Sequence, residues 1–179
     1  MIDKALSFLC DELNGYFQLV FNVKEEKVIL SSLNGEQNAD KVMITLVNIE
    51  EEQTLRNAPH IKSPISDRSG ESLNPPINLN LYVLCSTSFN DHGESLKFLS
   101  NTLSFFQSKN VFTHQNAPLL DPNIEKLIVE HINMTYEDNA HLWQMLGSKY
   151  TPSVMYKVRM LALAQDRWQD NRPMVSGTV

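Results

Sequence analysis

The residues most suggestive of chemistry in this sequence are three potential metal ligands. His131 lies at the end of an apolar run, and Asp138 and His141 are three positions apart in the helical pattern that follows. Imidazole and carboxylate groups bind zinc, and residues three apart share one face of a helix. Isolated histidines beside strands and short helices are nevertheless more often hydrogen-bonded or exposed than ligated. We therefore predict no metal site.

A nucleophile is the next candidate for chemistry. Nucleophilic catalysis needs a serine or cysteine at a sharp turn with a base beside it. The sequence has no G-x-S-x-G motif, and Cys10 and Cys85 both lie on apolar periodic segments. We predict two buried free thiols, a reducing compartment and no enzymatic activity. No cofactor is predicted, because the glycines are single turn or cap positions and form no phosphate-binding loop.

An acidic run and a set of phenylalanines have structural interpretations. The side chains of Glu50, Glu51 and Glu52 splay apart at the end of a strand, which is typical of a solvated rim. Charge-steered docking to a basic partner is the alternative. The aromatic set is predicted to lie in the core and comprises Phe98, Phe105, Phe106 and Phe112.

Composition and charge narrow the class of protein and the class of partner. The chain has 179 residues, of which 42% are hydrophobic and 20% charged, and this is typical of one globular domain with its own core. The net charge is -6, and lysine and arginine form no cluster. Because binding to phosphate backbones and to anionic lipids depends on such clusters, we predict neither a nucleic-acid partner nor a membrane partner.

The N-terminal sequence and the hydropathy pattern bear on localisation. A signal peptide begins with basic residues, whereas this N-terminal sequence carries the acidic residues Asp3, Asp11 and Glu12. We therefore expect no signal peptide. No apolar run approaches the ~20 residues that cross a bilayer. We therefore expect synthesis in the cytoplasm without insertion into a membrane.

The first half of the chain is predicted to alternate between one helix and several strands. Asp3 caps a helix that buries one apolar stripe and that Gly15 ends. Short strand-like runs follow at Tyr16–Val23 and Lys27–Leu33, and the Asn34-Gly35 step predicts a turn. Lys41–Ile49 is apolar on both faces, so we expect a strand that is central in its sheet. The stripe of the helix comprises Ala5, Leu6, Leu9 and Leu13.

A long segment without periodicity divides the chain. Residues 53–76 contain four prolines and scattered serine and asparagine, which predicts a loop that is either functional or simply loose. The strand beginning at Ile77 then has one apolar face and one more polar face, and we expect the polar face to look onto a channel or a neighbour.

The second half of the chain carries two helix start signals and two strands. Asp91 with Glu94 starts one helix, and Thr135 with Asp138 starts another, which Gly147 ends. Strands are predicted at Ile124–Met134 and Ser153–Leu163, and a short extended piece begins at Val111 and Phe112. The predicted buried residues are Leu96, Leu99, Leu103 and Phe106 on the first helix, and Tyr136, Ala140 and Trp143 on the second.

Three residues near the C-terminus are predicted to bind a partner. Lys157 and Arg159 alternate with apolar residues on the last strand, and Trp168 is a large aromatic residue in a polar tail. If this strand lies at an edge, a partner could add a strand to it, with the basic pair and Trp168 supplying register and anchoring. The alternative is a central strand followed by a loose tail. We predict a domain over residues 1–164 and a tail over residues 165–179.

Several of these segments, in the same order, resemble one known family. They are NGYF at Asn14–Phe17, KVMITLVNIEEE at Lys41–Glu52, PPINLNLYVL at Pro75–Leu84, the run from Ser95 to Thr113, and the run from Leu120 to Leu161. Together they are similar to the tail terminator, or cap, family of phage-tail-like contractile injection systems, of the antifeeding-prophage and Photorhabdus virulence cassette type.

This resemblance implies an α/β (α+β) fold of tail-terminator type, a single domain with a mixed β-sheet flanked by helices. It also implies a homo-hexameric ring that ends and joins the sheath and the inner tube at the distal end of the particle. The implied partners are the chain itself, the sheath protein and the inner tube protein. The particle would be either released or held at a membrane. The alternatives are another structural subunit of the same machine, in its tube or baseplate, or a small intracellular α/β hydrolase.

Overall fold

A six-stranded mixed β-sheet with helices on both faces forms the described part of the chain. The computed structural model describes residues 1–33, 39–52 and 78–162. Within them the strand order is β1-β2-β3-β6-β5-β4, in which β1 runs parallel to β2 and all other neighbours are antiparallel. The elements are α1 (Ile2–Phe21), β1 (Val28–Leu30), β2 (Lys41–Glu51), β3 (Asn78–Ser88), α2 (His92–Ser108), β4 (Val111–Thr113), β5 (Ile124–Ile132), α3 (Tyr136–Leu146) and β6 (Ser153–Ala162). The predicted fold class is confirmed.

The main core lies between one face of the sheet and helices α1 and α2. Phe17 from α1 and Phe98 from α2 meet edge to face with ring centroids 5.1 Å apart, and Phe8 meets Phe112 of β4 in the same way at 5.5 Å. The predicted core phenylalanines are therefore confirmed as buried. Both cysteines are free and buried, also as predicted, and burial raises the pKa of Cys10 to about 12. Such thiols are poor nucleophiles at neutral pH.

Helix α1 is longer than the sequence pattern predicts. It begins at Ile2 without a side-chain cap, passes through Gly15 and ends at Asn22, which has a left-handed backbone with φ of 52°. A glycine inside a helix costs about 1 kcal/mol. Burial of Phe17 on the next turn offsets that cost, since a fully buried phenylalanine contributes about 1.5–3 kcal/mol. The predicted cap at Asp3, stop at Gly15 and strand over Tyr16–Val23 are therefore wrong.

The start signals of α2 and α3 are confirmed, but their buried faces differ from the predictions. Asp91 accepts hydrogen bonds from the backbone N–H groups of Gly93 and Glu94, and Thr135 and Asp138 form a capping box. Gly147 ends α3 with a left-handed φ of 62°. Helix α2 buries Phe98, Thr102 and Phe105 in place of Leu96 and Leu103, whereas Phe106 is buried as predicted. Helix α3 buries Leu142 together with the predicted Trp143, whereas Tyr136 and Ala140 are exposed. Aromatic packing against α1 outweighs the leucine periodicity.

Two asparagine side chains occupy backbone groups on the outer sides of the short strands β1 and β4. At the β1 edge, the Asn14 carboxamide donates to the Val28 carbonyl (2.9 Å) and accepts from the N–H groups of Val28 (2.8 Å) and Lys27 (2.9 Å). At the β4 edge, Asn116 donates to the Val111 carbonyl and accepts from the Thr113 N–H, both at 2.9 Å. Unpaired edge groups invite strand addition. At these positions the groups are already occupied.

The segment from residue 53 to residue 77 lies outside the described residues, but its two ends are fixed. Glu51 is opposite Leu79 in the β2–β3 pair, and the Glu52 N–H donates to the Asn78 carbonyl at 2.9 Å. The ends of the segment are therefore neighbouring positions of one antiparallel pair. The predicted loop itself, residues 53–76, is not tested by the structure.

Replacing Asn14 is expected to destabilise the fold through the β1 edge. Asn14→Ala leaves buried backbone groups of Lys27 and Val28 without partners, which is expected to cost about 2–3 kcal/mol of unfolding free energy. Denaturant unfolding measures this loss. Asn101→Ala is the control, because Asn101 only bonds a carbonyl of its own exposed helix surface, and its change should stay within about 0.5 kcal/mol. Equal stability of the two variants would show that Asn14 does not hold the edge.

Shortening the 53–76 segment to a Gly-Ser link is expected to spare the fold. The link has to join only two paired strand ends, and the closure entropy of a loop falls slowly as the loop shortens. A thermal melt should give a melting temperature close to that of the intact chain. A large fall would instead place part of the segment in the core.

Candidate functional site

The predicted partner-binding residues Lys157 and Arg159 lie on the central strand of the sheet. Strand β6 pairs with β3 along one side and with β5 along the other, so it is not an edge strand and cannot accept an added strand. The prediction of an edge strand is wrong, and the alternative of a central strand is confirmed. Both side chains point to the sheet face opposite α1 and α2, because they alternate with the core residues Tyr156 and Val158.

Lys157 and Arg159 belong to a network of polar side chains across four neighbouring strands. We call this surface the charged face. Arg159 forms an ion pair with Glu130 of β5, and the Lys157 Nζ lies 3.9 Å from the Glu52 Oε2. The charged face consists of Glu50, Glu52, Asn80, Tyr82, Glu130, Lys157 and Arg159.

Hydrogen bonds from β3 tie the carboxylates beside β2 to the network. The Tyr82 hydroxyl donates to the Glu50 carboxylate at 2.8 Å, and the Asn80 amide donates to the Glu52 carboxylate at 3.0 Å. The hydrogen bond to Glu50 raises the pKa of Tyr82, and partial burial and the negative charges of Glu50 and Glu52 raise it further. The phenol therefore remains a hydrogen-bond donor at physiological pH.

Two buried polar atoms of the charged face have no hydrogen-bond partner within the described part of the chain. They are the Asn80 Oδ1 and the Arg159 Nε, and Asn80 and Arg159 stand directly opposite each other in the β3–β6 register. A buried acceptor or donor without a partner costs about 1–3 kcal/mol. The network is therefore incomplete where β3 meets β6.

Helix α3 limits the charged face by covering the other end of the same sheet face. Leu142 and Trp143 of α3 pack on Leu84 of β3 and Met155 of β6, forming a second, smaller core. The polar face predicted for β3 is therefore divided: Leu84 is buried under α3, whereas Tyr82 stays half-exposed on the charged face.

The residues considered for metal binding are placed in separate roles. His131 is exposed on β5 beside Tyr156, Asp138 forms the capping box with Thr135, and His141 is exposed on α3. Within residues 1–33, 39–52 and 78–162, no group of three or more histidine, cysteine, aspartate or glutamate side chains could hold a metal ion.

The remaining site predictions have mixed outcomes. Of the acidic run, Glu50 and Glu52 face the β3 residues of the network instead of forming only a solvated rim. Trp168 lies outside the described residues, so its predicted role as an anchor stays a prediction. Asn80 and Tyr82 lie on the polar face predicted for the strand beginning at Ile77, but their partners were not predicted, and Glu130 was not predicted as a site residue. Their alternation with apolar neighbours indicated a polar face, but only the strand register identifies their partners.

Among the described residues, no helix is both long enough and apolar enough to cross a bilayer.

Two solved structures share this fold over the whole chain. One is the sheath/tube terminator, in the extended state, of the extracellular contractile injection system PVC, with a TM-score of 0.60 and 18% identity. The other is the anti-feeding prophage cap, a tube terminating cap, with a TM-score of 0.57 and 15% identity. Both alignments include 100% of this chain, but they include only 63% of the PVC terminator chain and 60% of the anti-feeding prophage cap chain. This chain therefore spans less than two thirds of the length of either structure.

The sequence comparisons identify the family. No curated protein matches this sequence. The model of the Pvc16 N-terminal domain matches residues 6–177, which is nearly the full length. This agrees with the resemblance seen in the sequence and with the two shared folds. The chain belongs to the Pvc16 N-terminal domain family.

Proposed function

We propose that this chain is a structural terminator of a contractile injection system. Copies of it form a hexameric ring at the distal end of the particle, where the ring stops growth of the inner tube and sheath and joins them. The observation that carries the proposal is the fold shared, over the whole chain, with a sheath/tube terminator and a tube terminating cap. Membership of the Pvc16 N-terminal domain family supports it independently.

A mechanical role fits the chemistry of the described residues better than catalysis does. The two thiols are buried, and burial raises the pKa of both. The titratable side chains that do cluster, on the charged face, are bound to one another in ion pairs and hydrogen bonds. Such a surface suits recognition of a partner through complementary charge.

We propose the charged face as the surface that contacts the sheath or tube protein. Five of its seven side chains are half-buried in the free chain, Asn80 is buried and Glu50 is exposed, so a partner covers most of them at a small further desolvation cost. The Asn80 Oδ1 and the Arg159 Nε have no hydrogen-bond partner within the described part of the chain. After a small side-chain movement, polar groups of a partner protein can hydrogen-bond to them. Strand addition is not required, since β6 is central and asparagines occupy edge groups of β1 and β4.

Cyclic symmetry explains how one sequence can serve every position of such a ring. In a closed ring each copy makes the same head-to-tail contact with the next, and each presents the same charged face to sheath or tube. The ring is held by contacts between copies, while the attachment to the particle uses the charged face. Synthesis in the cytoplasm precedes assembly in this scheme.

Removal of the protein is expected to produce tubes and sheaths of irregular length, because nothing then ends their growth. Electron micrographs of particles from a deletion strain give the length distribution, and images of intact particle ends give the symmetry of the ring. Restoring the intact gene is the control and should restore uniform length. Particles of uniform length with stable extended sheaths in the deletion strain would contradict the proposed function.

Reversing the Arg159–Glu130 pair is expected to abolish capping without loss of the fold. Arg159→Glu alone places two carboxylates together and destabilises the chain, whereas Arg159→Glu with Glu130→Arg restores an ion pair of opposite polarity. The double variant should melt near the wild type yet cap at least about tenfold fewer particles, as counted in micrographs. Lys149→Glu, an exposed reversal away from the charged face, is the control and should cap normally. Normal capping by the double variant would exclude the charged face as the contact surface.

A further inference from the structure

An apolar groove runs along the outer side of α1, on the opposite side of the molecule from the charged face. We call it the α1 groove. It has a volume of about 730 Å³, which lies within the ordinary size range of ligand-binding pockets. Its apolar lining comprises Phe8, Tyr16, Leu19, Phe105, Leu119 and Pro122.

The lining of the α1 groove exposes large apolar side chains to solvent. Leu19 is 86% exposed and Leu119 is 85% exposed, and the rings of Tyr16 and Phe105 pack together 5.1 Å apart between the helices. Covering such side chains stabilises a protein by about 25 cal/mol for each Å² of apolar surface removed from water. A groove of this shape therefore favours an occupant with a large apolar side chain.

The charges of the α1 groove favour an occupant that also carries a cation. Lys4 pairs with Asp121 at 2.7 Å, and Glu12 pairs with Lys109 at 2.6 Å, so two of the three lining carboxylates are neutralised. The third, Asp11, has no ion-pair partner among the described residues. An arginine beside an aromatic anchor would complement both properties of the groove.

The chain leaves the described structure at the rim of the α1 groove. Ala162, the last described residue, is opposite Ile124 in the β5–β6 pair. The Ile124 N–H donates to the Asp121 carbonyl at 2.9 Å, and both Asp121 and Pro122 line the groove. The Ala162 side chain is buried, and strand alternation puts it on the same side of the sheet as Met160, which lies in the core under α1. Residues 163–179 therefore continue from a point beside the groove.

The sequence of residues 163–179 supplies what the α1 groove favours. Arg167 and Trp168 are adjacent, and Arg172 follows before Pro173. Trp168 comes six positions after Ala162, which is a reach of roughly 20 Å in extended chain. The groove follows α1 from Lys4 to Leu19, a helical length of about 22 Å. Trp168 can therefore reach most of the groove.

We infer that residues 163–179 dock in the α1 groove of their own chain. The Trp168 indole covers Tyr16 and Leu19, and the Arg167 guanidinium faces the Asp11 carboxylate. Attachment so close to the groove makes the effective concentration of the tail high, which favours its own groove over that of a second copy. This docking does not depend on the terminator function. The docked tail lies on the side of the sheet that α1 and α2 cover, so the charged face stays uncovered. Trp168 then contacts its own chain instead of the partner predicted from the sequence.

The fluorescence of Trp168 in the full-length chain tests this inference. The protein has two tryptophans, so the spectrum of the intact chain minus that of Trp168→Phe isolates the emission of Trp168. Docking should blue-shift this emission and reduce its quenching by acrylamide at least about threefold relative to a free peptide of residues 163–179. Quenching equal to that of the free peptide would overturn the inference.

Variants of the groove show where Trp168 docks. Leu19→Glu removes an apolar side chain from the groove, and Asp11→Lys places a positive charge beside Arg167. Both positions are exposed, so both variants should fold. Each should expose Trp168 to the quencher. A leucine at position 15 (Gly15→Leu) should also displace the tail, because nothing lies within 4 Å of a Cβ built there. Tyr136→Glu, at a side chain 95% exposed on α3, is the control and should change nothing. Trp168 protection that survives all three groove variants would overturn the assignment.

The dependence on concentration identifies whose tail occupies the groove. Protection of Trp168 should stay constant over a hundredfold range of protein concentration while the mass in solution remains that of a monomer at the low end. Protection that appears only as the chain associates would assign the groove to the tail of a second copy and overturn docking within one chain.

Discussion

The central position of β6 is the constraint on which the rest of the structure depends. This last strand pairs with β3 on one side and β5 on the other, so it joins strands from both halves of the chain into one sheet. Because the register is fixed by the alternation of buried and exposed residues, Arg159 stands opposite Asn80 and Lys157 opposite Glu130. The charged face exists only because this pairing forms.

Asparagine side chains limit strand addition at two positions on the outer sides of the sheet. Asn14 and Asn116 are far from each other in the sequence, but they act in the same way. Each hydrogen-bonds both a backbone carbonyl and a backbone N–H of an edge strand. A carboxamide can do this because it is donor and acceptor at once. Edge-to-edge aggregation is thereby discouraged at the occupied positions.

Two side-chain surfaces lie on opposite faces of the sheet, and they differ in physical character. The charged face is a network of ion pairs and hydrogen bonds on the side that α3 covers only in part, and it suits a partner read by charge. The α1 groove is apolar with an acidic lining, and it suits an aromatic anchor with a cation. A tail that occupies the groove leaves the charged face for the particle, so the two proposals are compatible within one subunit.

Local signals in the sequence determined the features that depend on neighbouring residues. The capping box at Thr135, the stop at Gly147 and the strand alternation of β2, β5 and β6 were predictable because each involves contacts within a few positions. The end of α1, the buried face of α2 and the partners of Arg159 were not, because they depend on phenylalanine packing between helices and on which strands become neighbours. Those contacts join residues far apart in sequence, so only the tertiary structure could decide them.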